Sequence, residues 1–256
     1  MNPRLKTSCL RVAIGEKMLC RNLDLEILPG QCWGILGPNG VGKTTLLHTL
    51  AGLFPPVAGT LLLNGKAMTE LPRRQVARQI GMLFQQQSDP FPSTVMEAAL
   101  TGRHPWLGRW QWESEEDMEL VRDKLALVGL ESMAARQVST LSGGERQRLA
   151  IATLLAQQAE ILLLDEPINH LDVNYQIGVL ELLTGTLRQG QAAVIMVLHD
   201  INLAIRYCDH LLLLFPGGES VCGSTEKILD PEVLGQLYQH PMMILDSPNG
   251  PVYLPA

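Results

Sequence analysis

The chain has 256 residues, 46% of them hydrophobic and 18% charged, which suits one large globular domain, or a domain with a sub-domain, and excludes a disordered chain. Its 20 basic and 26 acidic residues give a net charge of −6, which argues against a general binder of nucleic acid or anionic membrane. The longest apolar run, Ala192–Leu198, is far shorter than the roughly 20 residues of a spanning helix, and Arg11, Glu16 and Lys17 interrupt any leader-like stretch, so a cytoplasmic chain is expected. The five cysteines (Cys9, Cys20, Cys32, Cys208 and Cys222) are scattered without a paired spacing and read as idle thiols.

In chain order, Cys32–Leu36 is a fully apolar run, followed by a mixed, helix-like segment at Lys43–Ala51. Similar apolar runs recur at Ile161–Leu164, Ala192–Leu198 and Leu211–Phe215, with helical segments predicted at Val173–Arg188 and Ile201–Cys208. Runs of this length without polar alternation suit strands buried on both faces, and their alternation with helices predicts a doubly wound α/β core. The stretch from Gln85 to Gln158 breaks that rhythm. It opens on a segment containing Pro90 and Pro92 and holds helical patterns at Glu115–Val128 and Gly144–Gln157, so it reads as a mainly helical insertion between two parts of the core, 1–84 and 159–256. Within it, Glu113–Asp117 reads as a solvated helix start, with Ser114 as cap and Asp117 returning the bond, rather than as an acidic binding patch.

The segment Gly37-Pro38-Asn39-Gly40-Val41-Gly42-Lys43-Thr44 fits G-x-x-x-x-G-K-[ST] in full, between an apolar strand and a helix. Glycines let successive backbone N–H groups face one phosphate cluster, and the helix N-terminus adds partial positive charge. Lys43 supplies a point charge to the β/γ-phosphates, and the Thr44 hydroxyl is a hard ligand for Mg²⁺. Downstream, the strand Ile161–Leu164 runs into Asp165-Glu166. A carboxylate there sits at the sheet edge where open α/β sheets bind ligands. Asp165 is placed to hold Mg²⁺ and Glu166 to polarise a water against the γ-phosphate.

Between the two lies Leu141-Ser142-Gly143-Gly144-Glu145-Arg146-Gln147-Arg148. The P-loop, this LSGGE-x-Q-R segment and the strand ending in Asp-Glu together resemble the ATP-binding cassette (ABC) ATPases over essentially the whole chain. The resemblance implies a P-loop cassette with a mainly parallel core, an N-terminal antiparallel β region and an inserted helical sub-domain at 85–158. It also implies a switch histidine at His199 that contacts the γ-phosphate, a Q-loop glutamine at Gln85 that contacts Mg²⁺ and senses a transporter partner, and a D-loop at Asn169-His170-Leu171-Asp172. Thr45 joins the P-loop residues as an ATP contact. Ser142, Gly143 and Gly144 open a helix and form a second anion site, so the family's ATP sandwich requires a head-to-tail homodimer around two ATP.

Two departures stand out. The family usually stacks an aromatic residue near the N-terminus on adenine. This chain has no aromatic before Trp33 and reads Val12-Ala13-Ile14-Gly15 at that place, and Ile168 stands where threonine or serine is commoner. Thr101–Gly108, with Gly102-Arg103-His104-Pro105, and His199-Asp200-Ile201-Asn202-Leu203-Ala204 are similar to the branch that imports ferric siderophores, haem and cobalamin. That branch implies integral membrane permease subunits, a periplasmic or surface substrate-binding protein acting through them, no nucleic-acid partner, and a peripheral position on the cytoplasmic face of the inner membrane. A soluble ABC ATPase of iron–sulfur cluster assembly is the alternative. Trp106, Trp110 and Trp112 read either as packing within the helical segment or as a grip on a permease loop.

Overall fold

A computed structural model describes residues 2–85, 92–169, 171–186, 192–248 and 250–256. Pro90, His170 of the D-loop and Arg188 lie outside them.

The middle layer is a six-stranded sheet in the order β10-β9-β3-β8-β7-β6. Its strands are β3 (Cys32–Leu36), β6 (Ile80–Leu83), β7 (Ile161–Asp165), β8 (Ala193–Val197), β9 (His210–Leu214) and β10 (Ser220–Ser224). All pairings are parallel except β9 with β10. Every residue of β3, β7 and β8 is buried, as unalternating apolar runs demand of a sheet covered on both faces. The pleat still sorts them: Leu162, Leu164, Val194 and Met196 join one core, while Ile161, Leu163, Ile195 and Val197 join the other.

The second core lies against an antiparallel sheet of order β2-β1-β4-β5, built from β1 (Leu5–Ile14), β2 (Lys17–Ile27), β4 (Ala58–Leu63) and β5 (Lys66–Ala67). Helix α1 (Lys43–Leu50) buries Leu46, Leu47 and Leu50 in that core, so the turn from β3 to α1 is anchored at both ends.

The first core is capped by helices, including α3 (Val95–Leu100), α4 (Glu115–Leu127) and α5 (Gly143–Ala156). Each of these three starts in a reciprocal capping box, at Thr94/Glu97, Ser114/Asp117 and Ser142/Glu145. The Gly102-Arg103 pair fastens this region. A Cβ on Gly102 would sit 2.2 Å from the Thr153 carbonyl oxygen, so only glycine lets the two backbones approach. Arg103 bonds Asp117 at 2.7 Å and the Ala156 carbonyl at 2.9 Å, tying the start of α4 to the end of α5.

Helix α6 (Val173–Glu181) continues as a π-helical stretch, Leu182–Thr186, in place of the regular α-helix expected there. Thr184 donates back to the Leu180 carbonyl at 2.7 Å, a bond that bends helices, and Gly178 and Gly185 weaken the α form. The C-terminal strands β11 (Met242–Ser247) and β12 (Gly250–Pro255) form a separate hairpin that the apolar runs did not announce.

Candidate nucleotide site

The loop between β3 and α1 takes its shape from steric limits. Gly42 has φ 113°, and a Cβ there would meet Leu19 Cβ at 2.9 Å. Gly37 approaches β9 so closely that a Cβ would stand 2.5 Å from the Leu214 carbonyl oxygen. Gly42 is also the N-cap of α1, and among the described residues no side chain bonds the first N–H groups of that helix. They point into the loop.

Lys43 is buried, and its Nζ donates to the Gly37 and Pro38 carbonyls at 2.8 and 3.1 Å, so the loop closes round an ammonium. Burial pushes its pKa down, and Glu166 and Asp165 oppose that shift. Val41 anchors the loop in the core, while Asn39, Gly40, Gly42, Lys43, Thr44 and Thr45 line a cavity of about 570 Å³. Gln85, Glu166 and His199 line the same cavity.

Behind Thr44, its Oγ1 donates to Asp165 Oδ1 at 3.2 Å. Asp165 is fully buried at the end of β7, and its Oδ2 has no hydrogen-bond partner among the described residues. Burial is the main force raising its pKa, with the Thr44 bond working against it. An orphaned buried carboxylate oxygen beside a threonine hydroxyl is a hard-oxygen donor set, and it fits Mg²⁺.

Three donors converge on Glu166. His199 Nε2 stands 2.7 Å from Oε1, Gln85 Nε2 donates to Oε2 at 2.9 Å, and the Asn169 amide also donates to Oε2. The Glu166 side chain is only 10% exposed, against 42% for His199. Glu166 holds a left-handed backbone, φ 52°, a strained conformation for a residue with a Cβ.

Ser142, Gly143 and Gly144 are elsewhere, at the start of α5, and do not line this cavity. Two of that helix's first donors are already taken: the Ser142 N–H by Glu145 Oε2 at 2.7 Å, and the Glu145 N–H by Ser142 Oγ at 3.3 Å. Gln147 of α5 reaches the Pro167 carbonyl at 2.8 Å and so links the signature helix to the segment that follows Glu166.

Sequence reasoning missed Lys17, which lines the cavity and donates to the Gly40 carbonyl at 2.8 Å. It comes from the antiparallel sheet, and no local pattern announces a contact made by one sheet folding over another. Ile14 lines the cavity at the end of β1 and is exposed, where the family resemblance leads one to look for an aromatic ring.

A phosphate-cradling loop, a buried strand-end acid and a carboxylate held by glutamine and histidine define a nucleotide-hydrolysing P-loop cassette. The sequence profile of the ABC transporter family matches residues 20–169. The chain is 38% identical over 251 residues to the petrobactin import ATP-binding protein FpuD of Bacillus anthracis, covering 97% of this chain and 91% of that one. It is 39% identical over 248 residues to the ferric enterobactin transport ATP-binding protein FepC of Escherichia coli K12, covering 96% and 90%. Among solved structures it superposes on an inward-facing metal-chelate type ABC transporter with TM-score 0.87 at 27% identity, covering 100% of this chain and 98% of that one. It also superposes on a dimeric ATP-binding cassette in a post-hydrolysis state bound to ADP and Pi, with TM-score 0.75 at 27% identity, covering 86% and 98%. The chain belongs to the ABC transporter family, as one of its ATP-hydrolysing subunits.

Proposed function

We propose that this chain binds Mg²⁺-ATP in the P-loop cavity, pairs head to tail with a second copy around two ATP, and powers import through a membrane permease. The observation that carries this reading is the convergence of Gln85 and His199 on Glu166 beside the Thr44–Asp165 pair. The branch motifs support a ferric siderophore, haem or cobalamin as cargo, and the petrobactin and ferric enterobactin in the names of FpuD and FepC favour the first of these. Nothing in the site favours the iron–sulfur assembly alternative.

Thr44 and Asp165 would hold the Mg²⁺, which when bound neutralises charge on the β- and γ-phosphates. The open N–H groups of α1 and the Lys43 ammonium bind and orient the phosphates. Glu166 takes a proton from the attacking water at a carboxylate oxygen, whose lone pairs its three present donors do not exhaust. His199 Nε2 then turns from Glu166 to the γ-phosphate oxygen, and Gln85 reports the change towards the permease. Ile14 offers the adenine an aliphatic surface, so selectivity for ATP over GTP should be weak.

The division into a core of 1–84 and 159–256 and a helical sub-domain of 85–158 puts the P-loop and the signature on separate parts. Each sandwich then needs Ser142, Gly143 and Gly144 of the second copy. Among the described residues no helix is long and apolar enough to cross a membrane, so the permease would hold the subunit at the cytoplasmic face of the inner membrane. A substrate-binding protein would act on the outer side of that permease.

The tryptophans divide. Trp106 donates to the Gln157 carbonyl at 2.8 Å, with Arg103 and, from the core part, Arg78 over its ring, and so packs where the helical segment meets the core. Trp110 and Trp112 are 89% and 86% exposed and suit a grip on the permease. The test is phosphate release by the purified chain, then ATP-dependent uptake in vesicles carrying the permease. Release without uptake would reject the importer reading, and no release at all would reject the ATPase roles of the site residues.

A further inference from the structure

Beyond His199, the segment His199–Ala204 holds a polar side chain that does not line the nucleotide cavity. Asn202 faces the C-terminal hairpin. Its Nδ2 donates to the Tyr253 carbonyl at 3.1 Å, and its Oδ1 accepts from the Tyr253 N–H at 2.8 Å. A strand residue exchanges the same two bonds with its antiparallel partner, and here a side chain makes them. Tyr253 is the buried residue of β12, its ring set in the first core. The hairpin has no third strand among the described residues, and two-stranded hairpins are marginal alone, so it relies on this clamp, on the Tyr253 ring and on Met242, which packs against the same core.

The clamp bears on His199 through the backbone. On one side of His199, β8 is fixed by its neighbours, and the Leu198 N–H donates to the Ile35 carbonyl at 3.2 Å. On the other side, Asp200 caps the helix Ile201–Tyr207 by accepting from the Asn202 and Leu203 N–H groups at 2.7 and 3.2 Å. Asn202 thus closes the cap with its main chain and docks the helix on Tyr253 with its side chain. The His199 imidazole is half exposed and touches Glu166 at its tip, so its aim is set by this bracketed backbone more than by packing.

We propose that Asn202 is a positioning residue for His199, and that its clamp on Tyr253 makes the C-terminal hairpin part of the hydrolytic apparatus. The inference rests on the assignment of His199 to the γ-phosphate. The test compares ATP turnover by the full chain, Asn202→Ala, His199→Ala and the double variant. Asn202→Ala should lower kcat about tenfold. It should leave the KM for ATP within about twofold, because the P-loop lies on other elements. In the His199→Ala background the same change should alter kcat by less than about twofold, since two residues acting through one group are not additive. Parental turnover in His199→Ala would overturn the role of His199 and the inference with it. If His199→Ala is impaired, parental kcat in Asn202→Ala, or an equal loss in both backgrounds, would overturn the positioning role alone. Asn202→Asp keeps the volume and the acceptor but loses the donor, so it should show the same kcat fall at unchanged KM. A rise of KM in both variants would mark general damage and overturn the inference too.

Discussion

Two helix starts in this chain carry the phosphate sites proposed for it, and they are built in opposite ways. At α1 the N-cap is Gly42, in a left-handed conformation with no capping side chain and no acid in the first turn. At α5 the N-cap is Ser142, locked with Glu145 in a capping box, with an acid in the first turn. A bare start leaves its N–H donors for a ligand within the same chain, and Lys43 lies beside it. A capped start is stable by itself and keeps back only the donors of Gly143 and Gly144. The difference matches the two tasks proposed for them: one would hold ATP in the lone subunit, and the other would meet the ATP of a second copy.

The largest effect that can break this comparison is on Glu166, which serves the bare start. Glu166→Gln should bind ATP normally, lose about 100-fold to 10,000-fold in turnover, and accumulate as an ATP-bound dimer seen by light scattering. A monomeric, fast-turnover variant would show that the two starts do not share one nucleotide. Next comes Gly42→Ala. A Cβ at φ 113°, pressed on Leu19, should cost about 1–3 kcal/mol in thermal or urea unfolding and weaken ATP binding by the isolated chain. Unchanged ATP affinity would mean that the loop's shape does not set the cradle.

The bare start was legible in the sequence because its demands are local: glycines, a lysine and a threonine between an apolar strand and a helix. The fully buried strands were legible for the same reason, since Ile161–Leu164 and Ala193–Val197 show no alternation. Ser142, Gly143 and Gly144 were expected to offer exposed donors, and the structure differs at Ser142, whose N–H is taken by Glu145. The S-x-x-E spacing that predicts the box at α5 is of the same kind as the spacing that marked Ser114. The Asn202–Tyr253 clamp and the Lys17–Gly40 bond were beyond reach. They join segments far apart in the chain, and such contacts follow from packing rather than from any periodic pattern.

The capped start should respond more mildly. Ser142→Ala removes the acceptor for the Glu145 N–H and should cost about 1 kcal/mol of stability. ATP binding by the isolated chain should not change. Hydrogen bonds from the Ser142 backbone and hydroxyl hold the Glu145 carboxyl below its usual range. The folded chain therefore binds this proton less readily than the unfolded one. The stabilisation is present above the ordinary glutamate range and is lost as pH falls through the depressed value. Urea midpoints of both the parent and Ser142→Ala should fall in acid, because the Ser142 N–H that holds the Glu145 carboxyl is present in both. The gap between them should narrow only by the share of the hydroxyl, since the bond from the Glu145 N–H to Ser142 Oγ does not titrate. A gap that closes completely in acid would show that this N–H bond contributes nothing.

The smallest expected change in stability comes from Gly143→Ala, and it separates the two starts most sharply. A Cβ on Gly143 meets nothing within 4 Å in this chain, and the residue does not have a positive φ. Glycine is therefore not needed there for folding. Alanine is the better helix former, so the unfolding free energy should move by no more than about 0.5 kcal/mol. A small residue that its own chain does not require leaves room for something that approaches from outside. If that is the ATP of a second copy, Gly143→Ala should keep monomeric ATP affinity while the ATP-dependent dimer and cooperative turnover fall together. Sedimentation with Glu166→Gln as the background reads this directly. A full yield of dimer would show that the Gly143 surface meets no nucleotide, and the head-to-tail sandwich would have to be abandoned for this chain.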